Sequence, residues 1–266
     1  MKKLILVLLF IPLINSCSKE SFDENDENEI ILLKSARNET KYSDGSTSSN
    51  ETSYYYENSY LKSNKYELSK ATGIFYHLNE YYYENNNLNK IVHKINDNLD
   101  HQYEFIRNNQ NLLETLKRVY FDDNGNIEKT ITNKYSWSEN NSKATVYDEL
   151  NNIIREELYD SNNNLISEKI MGDSSGDYTI YSYAYDNKKS PFYNINGNIR
   201  KLGWWVGFYP NNRISYKQEI FKNDLLYETR KCKTSSLEFN SDGYPISKTS
   251  SDDCFGTEPT TVYYSY

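Results

Sequence analysis

The chain has 266 residues and a net charge of −8, which argues against a nucleic-acid partner, because phosphate binding needs a basic face. Hydrophobic residues make up 37%, yet aromatics reach 15% and 27 of those residues are Tyr. A disordered chain would be poor in aromatics, so this one folds, and tyrosine supplies much of its buried surface.

The first segment, Met1-Lys2-Lys3 followed by an apolar run from Leu4 to Ile14, has the basic head and short greasy stretch of a secretory signal. The run is too short to span a bilayer, which takes roughly 20 residues. Ile14-Asn15-Ser16-Cys17 resembles the lipobox of bacterial lipoproteins, with Asn15 departing from the usual small residue. The resemblance implies cleavage of residues 1–16 and lipidation of Cys17, and so a membrane anchor. Residues 17–28 (Cys17 onward, then SKESFDENDEN) are polar, acidic and without periodicity, and read as a tether. Acidic residues after the lipidated Cys resemble the export signal that carries some Bacteroidota lipoproteins to the cell surface. An outer-membrane lipoprotein on the surface and one facing the periplasm are both open on this reading.

From residue 29 to 266 the chain repeats a pattern of aromatic strand end, polar turn, aliphatic residue and charged strand. Copies begin at Tyr81, Val119, Leu158 and Leu237, with weaker ones at Tyr54, Tyr103, Val146, Tyr183 and Ile220 and an earlier turn at Asp44-Gly45. Asn-Gly and Asp-Gly turns accept positive φ, and the flanking runs alternate with period two, so each copy is a β-hairpin. Uneven spacing of the acidic turn residues excludes a strict solenoid. The expected fold is all-β: an antiparallel meander of hairpins in one domain, twisted or curled strongly, up to an open barrel.

This pattern resembles the YD repeats of Rhs-type proteins, in the degenerate form found in many Bacteroidota lipoproteins. In large Rhs proteins such repeats wind into a shell around a toxin. This chain is too short for that shell, so the toxin role does not carry over. Tyr183 to Phe192 also resembles a segment common in those lipoproteins.

Chemistry-bearing motifs are sparse. His77, His93 and His101 have no metal-ligand spacing along the chain and read as exposed strand or loop residues. Asp122-Asp123-Asn124-Gly125-Asn126 lacks the calcium-loop spacing and its closing Glu, and a turn explains the same residues. No metal or other cofactor and no catalytic residue is expected. Cys232 and Cys254 flank the Asp242-Gly243 turn symmetrically, so a hairpin there sets them opposite one another. A disulfide between them would stabilise by about 3 kcal/mol in the chain-entropy picture. Trp204, Trp205 and Tyr209 form an unusual aromatic stretch in which neighbouring side chains point to opposite faces, leaving one to stack on a sugar or a partner. These features suggest a non-catalytic, membrane-anchored binding module for a glycan or a protein. A hydrolase acting on envelope polysaccharide is the alternative, and a deep pocket with convergent carboxylates would favour it.

Overall fold

A computed structural model describes residues 30–70, 73–195, 208–250 and 258–266. Among these residues there is no helix and there are sixteen strands. The first eight are β1 (Ser35–Lys41), β2 (Thr47–Glu57), β3 (Tyr60–Lys70), β4 (Gly73–Glu84), β5 (Asn87–Ile95), β6 (Asn98–Arg107), β7 (Leu113–Phe121) and β8 (Ile127–Trp137). The rest are β9 (Lys143–Tyr147), β10 (Ile153–Tyr159), β11 (Leu165–Met171), β12 (Tyr178–Lys189), β13 (Asn211–Lys222), β14 (Leu225–Phe239), β15 (Pro245–Ser250) and β16 (Thr260–Ser265). Every neighbour pair is antiparallel and sequential. The meander goes further than an open curl, because β1 also pairs with β16, from Ser35 opposite Ser265 to Thr40 opposite Thr260. Among the described residues the barrel is closed and has no sheet edge.

Two turn chemistries make the hairpins. Asn58-Ser59, Asn85-Asn86, Asn96-Asp97 and Asn223-Asp224 hold positive φ at both positions, the mirror-image two-residue turn that matches strand twist. Five other turns begin with Asp or Asn, whose side-chain oxygen caps the backbone. Asp122 Oδ1 accepts from the N–H of Asn124 (2.9 Å) and of Asn126 (2.8 Å), and Asp148, Asp160, Asn108 and Asn240 repeat the arrangement. The calcium-like string at Asp122 is therefore a turn whose acidic oxygens are taken by its own chain. Most hairpins carry a bulge near the turn, at Tyr55/Tyr56, Tyr82/Tyr83, Ile106/Arg107 and Leu158/Tyr159 among others, which raises the local twist.

Alternation sends most apolar and aromatic side chains inward, together with buried polar and charged ones such as Arg155, Glu157 and Glu168. Leu61, Tyr81, Leu88, Ile91, Phe105, Leu113, Leu116, Tyr135 and Val146 form one buried cluster. The outer wall carries ion pairs: Lys94 Nζ to Glu80 Oε2 at 2.9 Å, Lys143 Nζ to Glu156 Oε1 at 2.5 Å and Lys217 Nζ to Glu219 Oε1 at 2.7 Å. Transmembrane barrels put apolar residues outside and polar ones inside. The charged pairs above stand on the face that such barrels keep apolar, while this interior holds both apolar and polar side chains.

The two ends of the barrel differ. Turns that follow even-numbered strands lie at the end where the chain enters. There the aliphatic residue after the turn is fully buried, as at Leu61, Leu88, Leu113 and Leu165. At the far end the equivalent Ile127 and Leu225 are 66% and 74% exposed. The segment after β12 explains the difference. Phe192, Ile195 and Phe208 enter the barrel at the near end, with Phe192 and Phe208 centroids 4.6 Å apart and Phe192 against Tyr54 at 5.5 Å. Aromatic latches add to it: Tyr83 OH donates to Leu61 O (3.1 Å), Trp137 Nε1 to Leu113 O (2.7 Å) and Tyr185 OH to Leu165 O (2.9 Å). Each ties one strand to the carbonyl of the neighbouring strand's buried leucine.

One expectation is corrected here. His77 and His93 are buried, and all three histidines face inward on adjacent strands. Chain spacing hid this, because ladder register rather than sequence distance brings them together.

Candidate functional site

On the side of the barrel formed by β11–β13, β15 and β16 the interior is hollow. A cavity of about 480 Å³ is lined by Glu168, Ile170, Tyr181, Tyr183, the Ser190–Phe192 turn, Tyr209, Asn211 to Arg213, Lys248 and Tyr264. A second of about 210 Å³ shares Arg213, Lys248 and Tyr264 with it and extends along Tyr216, Cys232 and Thr234. Register sets this lining. Tyr181 stands opposite Glu168 and Gln218, and Tyr183 opposite Tyr216, so rows of aromatic and polar side chains share the inner face.

Behind the cavity lies a polar network around Arg155. Its Nε is 2.8 Å from Glu157 Oε1 and 3.5 Å from Glu168 Oε1, and its Nη2 donates to Tyr135 OH at 2.8 Å. Tyr159 OH donates to Glu157 Oε2 at 2.6 Å, and Tyr183 OH to Glu168 Oε2 at 3.3 Å. A buried cation shared by two carboxylates balances charge only when its partners also hold hydrogen bonds, and the three tyrosines supply them. Burial pushes the Glu168 carboxyl up to about 7, against the pull of Arg155. The Arg155 guanidinium stays above its ordinary value despite burial, held there by Tyr135, Glu157 and Glu168.

Across the cavity, Lys248 Nζ donates to Arg213 O at 2.7 Å. Lys248 is half-buried in the wall, and desolvation followed by the Arg213 charge lowers its ammonium to about 8. Arg213 is solvent-exposed and lies over the rings of Tyr183 and Tyr216, at 5.4 and 5.5 Å. Ser190 Oγ donates to Tyr209 O at 2.5 Å, and Tyr209 packs edge-on to Tyr185 at 5.5 Å, which fixes that ring at the cavity wall. The cavity thus offers aromatic faces, phenol hydroxyls, two cations and one carboxyl group that titrates near neutrality.

Of the residues singled out from sequence, Tyr209 belongs to this cavity. Trp204, Trp205, Cys17 and Cys254 lie outside the described residues. Cys232 stands on β14 opposite Tyr216, and the Asn240–Tyr244 turn is where the cysteine hairpin was expected. Sequence reasoning missed Glu168, Arg213, Lys248 and the Arg155 network. Charges alternating with apolar residues read as solvated faces, and here the solvated-looking parity points inward.

No protein-family model and no curated protein matches the chain. Among solved structures it is similar to a porin-like protein from Bacteroides uniformis, with a TM-score of 0.49 and 13% identity over 88% of this chain and 97% of that one. A porin-like protein from Bacteroides vulgatus is also similar, with a TM-score of 0.30 and 10% identity over 89% of this chain and 99% of that one.

Proposed function

We propose that this is a lipid-anchored cell-envelope protein whose barrel binds a small polar ring, a sugar above all, inside its hollow side. The cavity carries the reading. Its volume lies in the range of ligand pockets, and Tyr181, Tyr183 and Tyr209 offer ring faces for stacking with hydroxyls for hydrogen bonding. Arg213 and Lys248 outnumber the half-protonated Glu168, which favours a sugar bearing an acidic group. Binding is preferred to hydrolysis because the second carboxylate, Glu157, is fully buried and engaged by Arg155 and Tyr159, so it does not stand across the cavity from Glu168.

The anchor reading rests on the signal and Ile14-Asn15-Ser16-Cys17. Ion pairs on the outer wall favour attachment through that lipid. Cys17→Ser should abolish detergent-phase partitioning of the exported protein, and persistent partitioning would reject the anchor.

The function is tested by calorimetric titration of the Cys17→Ser protein with neutral sugars and uronic acids. Tyr183→Ala should weaken binding a few-fold, since one stacked ring is worth about 1 kcal/mol. Arg213→Ala should weaken uronic acids more than neutral sugars. Absence of heat with every sugar, or binding unchanged in both variants, would refute the cavity as the site. Polysaccharide turnover lost in Glu168→Gln would replace the binding reading with the hydrolase.

A further inference from the structure

The three histidines lie on the opposite side of the barrel from the hollow, on adjacent strands β4, β5 and β6. They form a continuous aromatic row. Tyr66 stacks on His77 at 4.6 Å, His77 meets His93 at 5.3 Å, His93 stacks on His101 at 4.5 Å, and His101 lies 5.8 Å from Tyr120. In the ladder His93 is opposite His101, whereas the next pair is Lys94 with Leu99. Asp100 is therefore the extra residue of a bulge. A bulge re-aims the side chain of its extra residue, and here Asp100 reaches His101 Nδ1.

Hydrogen-bond partners fix the tautomer of two of the rings. His93 Nδ1 is 2.7 Å from Asn79 Oδ1, and His101 Nδ1 is 2.5 Å from Asp100 Oδ2. Both partners are acceptors, so in each neutral ring Nδ1 carries the proton and Nε2 keeps its lone pair. An imidazole whose far nitrogen donates to a carboxylate or carbonyl oxygen is the usual state of a metal-bound histidine. His93 Nε2 faces His77 Nδ1 at 3.2 Å. Two nitrogens on a tetrahedral ion with bonds of about 2.0–2.1 Å stand roughly 3.3 Å apart. Ligand-type atoms of His93, Asp100 and His101 all lie within 4.8 Å of one another. An ion would have to draw them only part of the way in, and the half-buried His101 and Asp100 leave a path from solvent.

We propose that His77, His93 and His101, with Asp100 holding His101 from its far nitrogen, form a binding site for a divalent transition-metal ion, zinc above all, in the barrel interior. Imidazole ligands suit zinc and cobalt and do not suit calcium or magnesium, which take all-oxygen sites. The site stands apart from the cavity proposed for the sugar, and neither reading depends on the other.

The test uses the Cys17→Ser protein, freed of metal by chelation and titrated with Co²⁺, then with Zn²⁺ in competition. One equivalent of Co²⁺ should produce visible d–d bands of tetrahedral intensity, and one equivalent of Zn²⁺ should erase them. His93→Gln and His101→Gln should lose the bands while keeping the β-sheet circular dichroism of the parent. Asn79→Ala, which keeps all three proposed ligands, should bind about 10–100-fold more weakly. Should a His variant fail to fold, Asp100→Asn and Asn79→Ala still decide the matter through the same bands. Absence of bands in the parent, or bands unchanged in His93→Gln and Asp100→Asn, would overturn the site and leave the row as packing alone.

Discussion

Asp160 shows how much a single side chain can fix. Its Oδ1 accepts from the N–H of Asn162 and Asn164, and its Oδ2 accepts from Asn164 Nδ2 at 2.8 Å. The Asp of the repeated pattern is thus a backbone device, which is why it recurs at turns of uneven spacing. Glu168 is the contrasting case, a carboxyl whose setting strains its charge. Its value in the fold, about 7, is above the 4.5 of an unfolded chain. Between these values the folded state holds a proton that the unfolded state has lost, so the group's contribution to stability falls as pH rises. The slope approaches about 1.4 kcal/mol per pH unit. Denaturant midpoints measured from pH 4.5 to 7.5 should show Glu168→Gln gaining on the parent protein as pH rises and levelling above pH 7. A gap independent of pH would show that the carboxyl ionises normally.

At the scale of the element, hairpins were legible in the sequence and their partners were not. The turn residues and period-two runs marked most strands, and the aliphatic after the turn marked a core position. What sequence could not show was which end of the barrel each turn occupies. Leu88 and Ile127 hold the same place in their copies, yet Leu88 is fully buried and Ile127 is 66% exposed. The plugging residues Phe192, Ile195 and Phe208 make that difference, and they come from a segment far along the chain. Leu88→Ala should cost about 2–5 kcal/mol of unfolding free energy, whereas Ile127→Ala should change it by less than about 0.5 kcal/mol. Equal losses in chemical denaturation would contradict the end asymmetry. The histidine row had a readable trace after all. His93 and His101 flank the Asn96-Asp97 turn almost symmetrically, and His77 and His93 flank Asn85-Asn86. Spacing judged by helical or local metal motifs overlooks a pair that a hairpin folds together, and the Asp100 bulge completes it only in three dimensions.

For the whole molecule, the closed ring decides which surface is inside. The net acidic, tyrosine-rich composition pointed to a thin sheet needing burial, and the barrel supplies it by giving every strand an inner face. Nothing local announced that closure, because its hydrogen bonds join Ser35 to Ser265 across nearly the whole chain. Nor did the sequence reveal the hollow. It depends on Tyr181, Arg213 and Lys248 arriving from three separate strands onto one inner face.

The β1–β16 seam has a consequence for the life of the polypeptide. Fifteen strands can zip in order as neighbours, each hairpin templating the next, but β1 keeps one hydrogen-bonding flank bare until the final six-residue strand arrives. Through that interval the nascent sheet displays two unpaired flanks, each complementary to those of a second unfinished chain. Monomer yield is therefore set by a race between a short terminal strand finding its own beginning and two immature chains finding each other. Dilution favours the first, and trimming at the carboxyl end hands the outcome to the second.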